Sequence, residues 1–225
     1  DADGDMDFVA GNLGLNSRLH ASVQEPVRLY FNDFDNNDGK EQILTYYVQG
    51  KEIPFAGKDE LEKQMPLLKK KYAYAEDFAK ATLTDIFSAM KIKDAMVLSA
   101  DYFSNAILIN NGNLNFSVQP LPWEAQLTTY RDAVIVDADN DSLPDLLLGG
   151  NYYANSIAAG RYDADHGTIL INKGNGKLQS ENLNGTVIKG EVRHIKPIKI
   201  AGKDAFIVAR NNDNAMVLKF TDPGK

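Results

Sequence analysis

The feature that most constrains this chain is an acidic run that leads directly into an apolar one, and it recurs. It reads "DADNDSLPDLLLGGN" from Asp137, "DFDNNDGKEQIL" from Asp33 and "DADGDMDFVAGN" from Asp1. Carboxylates this close repel one another unless opposite charge sits among them. The apolar residues that follow at once need burial. A chain carrying this pattern three times has to turn on a polar loop and enter a core each time.

The repeat extends beyond the acidic runs. Five segments align on an acidic residue followed by an apolar strand, starting at Asp7, Glu41, Asp94, Asp145 and Asp204, at intervals of 34 to 59 residues. Several intervals approach the roughly 40 to 50 residues of one propeller blade. Apolar strands precede several anchors, at 27–33, 132–139 and 194–202. The segment "NAILINNGNLNF" (105–116) matches "GTILINKGNGKL" (167–178). Their "NNGN" and "NKGNG" pieces read as hairpin turns, because Gly and Asn tolerate positive φ. Short strands, tight turns and repeated units predict an all-β β-propeller architecture over residues 1–222.

Numbering each acidic loop from one exposes a common ligand spacing. Positions one, three, five and nine are Asp137, Asp139, Asp141 and Asp145 in one loop, and Asp33, Asp35, Asn37 and Glu41 in another. In the opening segment Asp1, Asp3 and Asp7 take positions three, five and nine, with Gly4 at six. Position one of that loop would precede the first residue, so the chain is expected to start inside a repeat, as a fragment of a longer protein. Calcium takes six to eight oxygen ligands. A tight loop directs alternate side chains inward, and the backbone carbonyl of position seven (Asp5, Gly39 or Leu143) supplies a further oxygen. The spacing therefore predicts Ca2+ bound in these loops. An EF-hand is excluded, because position twelve is Ala10, Leu44 or Leu148 rather than Glu, and the flanks read as strands. The anchors at Asp94 and Asp204 lack an acidic run and are expected to be metal-free.

One region breaks the β pattern. Residues 57–90 are rich in Leu, Lys, Glu and Ala, with Leu61, Met65, Leu68 and Tyr72 at helical spacing. This predicts a pair of helices inserted between two strands, with Asp59 capping the first and Pro66 kinking it. The insertion reads as a flap on the sheet, or as a docking surface for a partner. Lys69–Lys71 reads as a solvated face.

Composition narrows the function. With 24 Lys+Arg against 31 Asp+Glu, the net charge of −7 argues against a nucleic-acid partner. No apolar run is long enough to span a membrane. Without cysteine there are no disulfides, thiolate metal sites or cysteine nucleophiles. The densest alternative chemistry is "GRYDADHG" (160–167), where Asp163 or Asp165 with His166, beside Arg161, could form the acid/base pair of a polysaccharide-acting enzyme. The plainer reading is a connecting loop whose Asp side chains cap backbone N–H groups. Arg193 and His194 could sit near it. His20 and Trp123 read as packing residues, the flanking leucines favouring burial of the indole.

The pattern D-x-D-x-D-G-x-x-D followed by an apolar strand and a "GN" or "GG" turn resembles the FG-GAP/VCBS-repeat family of calcium-binding β-propellers. Asp137, Asp139, Asp141, Asp145 and Gly149-Gly150-Asn151 carry it best, then Asp1, Asp3, Gly4, Asp7, Gly11 and Asn12. The loop at Asp33 departs at positions six and nine. "GNLGLNSRL", "FNDFDNND", "PFAGKDEL", "LPWEAQL", "GRYDADHG" and "KGEVRHIK" look like the C-terminal propeller of VCBS-repeat proteins related to the ASPIC/UnbV group of Bacteroidetes. The resemblance implies blades of four antiparallel strands. It implies an exported protein, periplasmic, outer-membrane-associated or extracellular, but no defined activity; the leading reading is a non-enzymatic, calcium-stabilised binding or scaffold module of a larger protein. The partners it implies are a protein or carbohydrate ligand and the rest of the parent chain. An incomplete propeller would expose a sheet edge that invites self-association.

Overall fold

Each acidic loop is followed by a strand, because the apolar residues after it alternate between sheet faces and bury at least one of them. The computed structural model describes residues 3–156, 159–181, 183 and 185–220. Among them, in chain order, are β1 (Phe8–Ala10), β2 (Val27–Asn32), β3 (Glu41–Val48) and β4 (Lys51–Pro54). Five short helices follow: α1 (Lys58–Gln64), α2 (Leu68–Lys71), α3 (Ala75–Lys80), α4 (Leu83–Phe87) and α5 (Ala89–Lys93). The remaining strands are β5 (Met96–Ala100), β6 (Ala106–Asn110), β7 (Phe116–Pro120), β8 (Tyr130–Val136), β9 (Asp145–Gly150), β10 (Thr168–Asn172), β11 (Leu178–Glu181), β12 (Val192–Ile200), β13 (Lys203–Arg210) and β14 (Met216–Leu218). The chain is therefore mostly β, in four antiparallel sheets, and divides into two units: Asp1–Arg18 with Ser104–Lys225, and Leu19–Phe103.

The first unit holds three sheets, ordered β1-β6-β7, β11-β10-β9-β8 and β12-β13-β14. Two of them share a register. Phe8 faces Leu108 and Asn110 faces Phe116 in one; Leu146 faces Leu170 and Asn172 faces Leu178 in the other. Counted from Asp7 and Asp145, and from Asn110 and Asn172, these pairings are the same. Both hairpin turns agree as well. Asn111 N–H donates to Asn115 O and Lys173 N–H to Lys177 O, each at 2.8 Å. Three successive residues in each turn take positive φ: Gly112, Asn113 and Leu114, and Gly174, Asn175 and Gly176.

Two apolar cores lie between these sheets. Tyr130, Leu146, Leu148 and Leu170 form one with Leu121 and Ala125, against Val9 and Ile107. Leu147, Ile169 and Val136 form the other with Val192, Ile195 and Val208. Residues 146 and 148 thus face one way and 147 the other, which is strand periodicity with both faces covered. Glycine is needed where the layers meet. A Cβ on Gly11 would lie 2.3 Å from the Tyr130 carbonyl oxygen, and one on Gly149 would lie 2.5 Å from Val192 Cγ1.

The second unit is one sheet, β4-β3-β2-β5, covered by the helices. Leu61, Met65, Leu68 and Tyr72, the residues at helical spacing, are all buried with Tyr30, Phe34 and Ile43 of the sheet and its acidic loop. The expected pair of helices is instead five short ones. Pro66 lacks an N–H and disfavours helix in the residue before it, so α1 stops at Gln64 and α2 starts only at Leu68. Asp59 does not cap α1; Gly57 holds that position and Asp59 lies in the first turn. Among the described residues a capping box forms at α4, where Thr82 and Asp85 exchange bonds. The stripe at helical spacing packs on the sheet, while Leu67, Tyr74 and Met90 of the same segment are exposed.

Trp123 departs from expectation too. It opens a short 3-10 helix, Trp123–Gln126, that turns Ala125 and Gln126 inward and leaves the indole 60% exposed. His20 is likewise exposed.

Candidate metal centre

Two acidic loops close their hairpins in one register. β2 enters the first and β3 leaves it, with Asn32 opposite Glu41. β8 enters the second and β9 leaves it, with Val136 opposite Asp145. Position nine is thus pinned beside the residue preceding position one, and the eight residues between must curl. Positions four and six take the curl at positive φ: Asn36 (60°) and Asp38 (64°), Asn140 (61°) and Ser142 (71°). Gly4, at position six of the opening loop, is also positive at 98°. Asn and Asp enter this region more readily than other non-glycine residues, which suits Asn36, Asp38 and Asn140; Ser142 takes the same region without that preference.

Backbone N–H groups set the carboxylates. Glu41 Oε2 accepts from Phe34 N–H and Asp145 Oδ2 from Ala138 N–H, both at 2.8 Å. At position one, Asp33 accepts from Asn37 and Asp38 N–H at 3.2 and 3.3 Å, and Asp137 from Ser142 N–H at 3.2 Å. Partial desolvation pushes Asp33 upward. The N–H donors of Asn37, Asn36 and Asp38 and the Lys91 ammonium outweigh it and hold this carboxyl below its ordinary range. Lys91 also donates to the Asp33 carbonyl.

The result is two groups of three carboxylates. Asp33, Asp35 and Glu41 each offer an oxygen within 4.8 Å of the others, and so do Asp137, Asp139 and Asp145. All donors are oxygen, the choice of a hard divalent cation. In the first group Asp35 Oδ1 is buried with no hydrogen-bond partner. An ionised oxygen buried that way is costly unless a cation compensates it, so these residues fit a bound ion. In the second group Asp137 and Asp139 are more exposed, and Lys173 Nζ lies 3.3 Å from Asp139 Oδ2. That ammonium already offsets part of the charge.

Position five has a turn role of its own. Asp141 Oδ1 accepts from Leu143 N–H at 2.8 Å, Asn37 Oδ1 from Gly39 N–H at 2.6 Å and Asp3 Oδ1 from Asp5 N–H at 3.0 Å. Each closes an Asx turn onto position seven, and Asp141 lies outside its group of three. Asp1 lies outside the described residues. Among those described, Asp3 and Asp7 gather no third group. Asp5 is raised by partial desolvation and by its neighbours Asp3 and Asp7.

Sequence reasoning missed a second use of position nine. Asp145 Oδ1 accepts Asn172 N–H at 2.8 Å, and Asp7 Oδ1 accepts Asn110 N–H at 2.9 Å. Each loop is thereby tied to the hairpin turn of the next strand pair. The matching "INNG" and "INKG" segments were the available signal.

The "GRYDADHG" loop buries one of its acidic groups and exposes the other. Asp165 is 2% exposed. Its Oδ1 accepts from Thr168 Oγ1 at 2.9 Å, Tyr130 OH at 3.2 Å and Gly167 N–H at 3.2 Å. Burial outweighs these donors and raises its carboxyl above the ordinary range. His166 and Asp163 point to solvent, and Arg161 stacks on the Tyr153 ring at 3.9 Å. Arg193 pairs with Glu191 at 2.8 Å, and His194 Nδ1 lies 3.4 Å from Asp132 Oδ2. Asp165 caps the Gly167 N–H, as the connecting-loop reading has it.

Comparison with protein-family models, with curated proteins and with solved structures found no match to this chain. No helix among the described residues is long and apolar enough to cross a membrane.

Proposed function

We propose that the protein is a non-enzymatic, calcium-stabilised binding or scaffold module of a larger exported protein, built from β-propeller blades of the FG-GAP/VCBS type. The observation that carries this reading is the agreement of two loops. Both pair position nine with the residue before position one, both bend at positions four and six, and both gather the carboxylates of positions one, three and nine. One acidic turn can arise for reasons of turn chemistry alone. Two with the same internal geometry share a ligand.

Calcium is the ion this donor set suits, and its role is structural. The cation would relieve repulsion among Asp33, Asp35 and Glu41, and among Asp137, Asp139 and Asp145, fixing each hairpin against its sheet. The matched registers of β1-β6-β7 and β9-β10-β11 support reading the sheets as repeats of one blade. Export and a protein or carbohydrate ligand follow from the family resemblance.

Thermal unfolding in calcium and in chelator tests the mechanism. An ion that binds only the folded chain stabilises it by about 2.7 kcal/mol per site at a hundred times its Kd. Equal melting temperatures in the two conditions would sink the reading.

A further inference from the structure

Building on the metal reading, we infer that the acidic loop at Asp33 is a calcium-operated latch on the helical segment. An ion bound there fixes the corner between α4 and α5 on its sheet, and loss of the ion loosens that corner. All the residues involved lie within the second unit.

The corner cannot hold itself. α4 and α5 have five residues each, far below the length at which a helix is stable alone. Ser88 ends the first and caps the second at φ 62° and ψ 148°. That conformation lies at the edge of a region all but reserved for glycine, and it persists only where the surroundings impose it.

The acidic loop supplies that hold on both sides of the corner. Phe34, at position two, is 7% exposed, and its ring meets Phe87 of α4 at 4.9 Å. Its N–H donates to Glu41 Oε2, the carboxylate of position nine, at 2.8 Å. Lys91 of α5 donates to the Asp33 carbonyl, and Asn32 Nδ2 returns a bond to the Lys91 carbonyl at 2.8 Å. Without a cation, Asp33, Asp35 and Glu41 repel one another. A loop that opens under that repulsion draws Phe34 and the Asp33 carbonyl away from the helices. The second acidic loop has no such tie. Its position two is Ala138, packed against the core of its own sheets, so it serves as an internal control.

Hydrogen exchange of the full chain in calcium and in chelator, read beside calorimetry of calcium binding, is the test. The amides of Ser88, Ile92 and Asp94 donate within the corner to Thr84, Ser88 and Met90. They should exchange about fivefold or more slowly in calcium. Asp35→Ala should abolish that slowing, and Asp139→Ala, which disarms the other loop, should keep it. The Lys91 ammonium repels an incoming ion, so Lys91→Met should still bind two ions while losing part of the slowing at Ile92 and Asp94. Two ions bound by the wild type with no change in exchange would overturn the latch and leave the metal reading standing. The latch is also overturned if Asp139→Ala loses the slowing as Asp35→Ala does, or if Lys91→Met keeps all of it. No calcium binding by the wild type would overturn the metal reading and the latch with it.

Discussion

Asp145 accepts the backbone N–H of Asn172 at 2.8 Å through Oδ1, while its Oδ2 accepts that of Ala138 at the same distance. The residue is 0% exposed. One side chain therefore closes its own loop, anchors the next hairpin and faces the candidate ion. Removing it leaves buried donors unsatisfied whether or not metal is bound. Asp145→Ala should cost about 2–4 kcal/mol even in chelator. Asp139→Ala, a part-exposed member of the same group, should change stability in chelator by less than about 0.5 kcal/mol. Urea unfolding of both variants in chelator checks the contrast.

Gly149 is a packing position as well as part of a turn. A methyl group there would lie 2.5 Å from Val192 Cγ1 and 2.9 Å from Ile195 Cδ1. Gly149→Ala should destabilise by about 1–3 kcal/mol. Gly11→Ala should cost more, since the obstacle is the Tyr130 carbonyl oxygen at 2.3 Å and the backbone yields less than a side chain. Gly57→Ala, with open space around it, should cost less than either, the remaining cost being that of alanine at the N-cap of α1.

Leu114 sits at φ 58° and is 88% exposed, where the matching turn has Gly176 at φ 71°. A leucine there bears left-handed strain with no packing in return. Leu114→Gly should stabilise by about 1 kcal/mol, read as a rise in urea midpoint.

The loops were legible in the sequence because alternating acids ending at an apolar run have few other uses. Glu41 and Asp145 at position nine, and the strands that follow them, came directly from that pattern. The Asx turns of Asp141 and Asn37 were not legible, because ligand spacing and turn chemistry ask for the same residue types. Carboxylate count also pointed to the loop at 137, whereas the buried, unpartnered Asp35 oxygen lies in the loop at 33. Burial of one oxygen and the reach of Lys173 to Asp139 depend on long-range packing that no local spacing encodes. The helical segment was recognisable by periodicity, but its division into five pieces was not.

Asp165 carries a pH signature. Its carboxyl is raised from 3.8, chiefly by burial, so the folded state holds a proton that the unfolded chain gives up earlier. The stabilisation is fully present below the unfolded value and is lost as pH rises through the folded one. Unfolding free energies measured across that window should fall with pH more steeply in the wild type than in Asp165→Asn. Parallel curves would remove Asp165 as the cause.

The central claim is that the two acidic loops hold cations. Isothermal titration of chelator-treated protein with calcium tests it most directly. The account predicts two sites, corresponding to the groups at Asp33, Asp35 and Glu41 and at Asp137, Asp139 and Asp145. Asp35→Ala and Asp139→Ala should each remove one, and the double variant should bind none. Absence of binding by the wild type, or two sites persisting in the double variant, would contradict it.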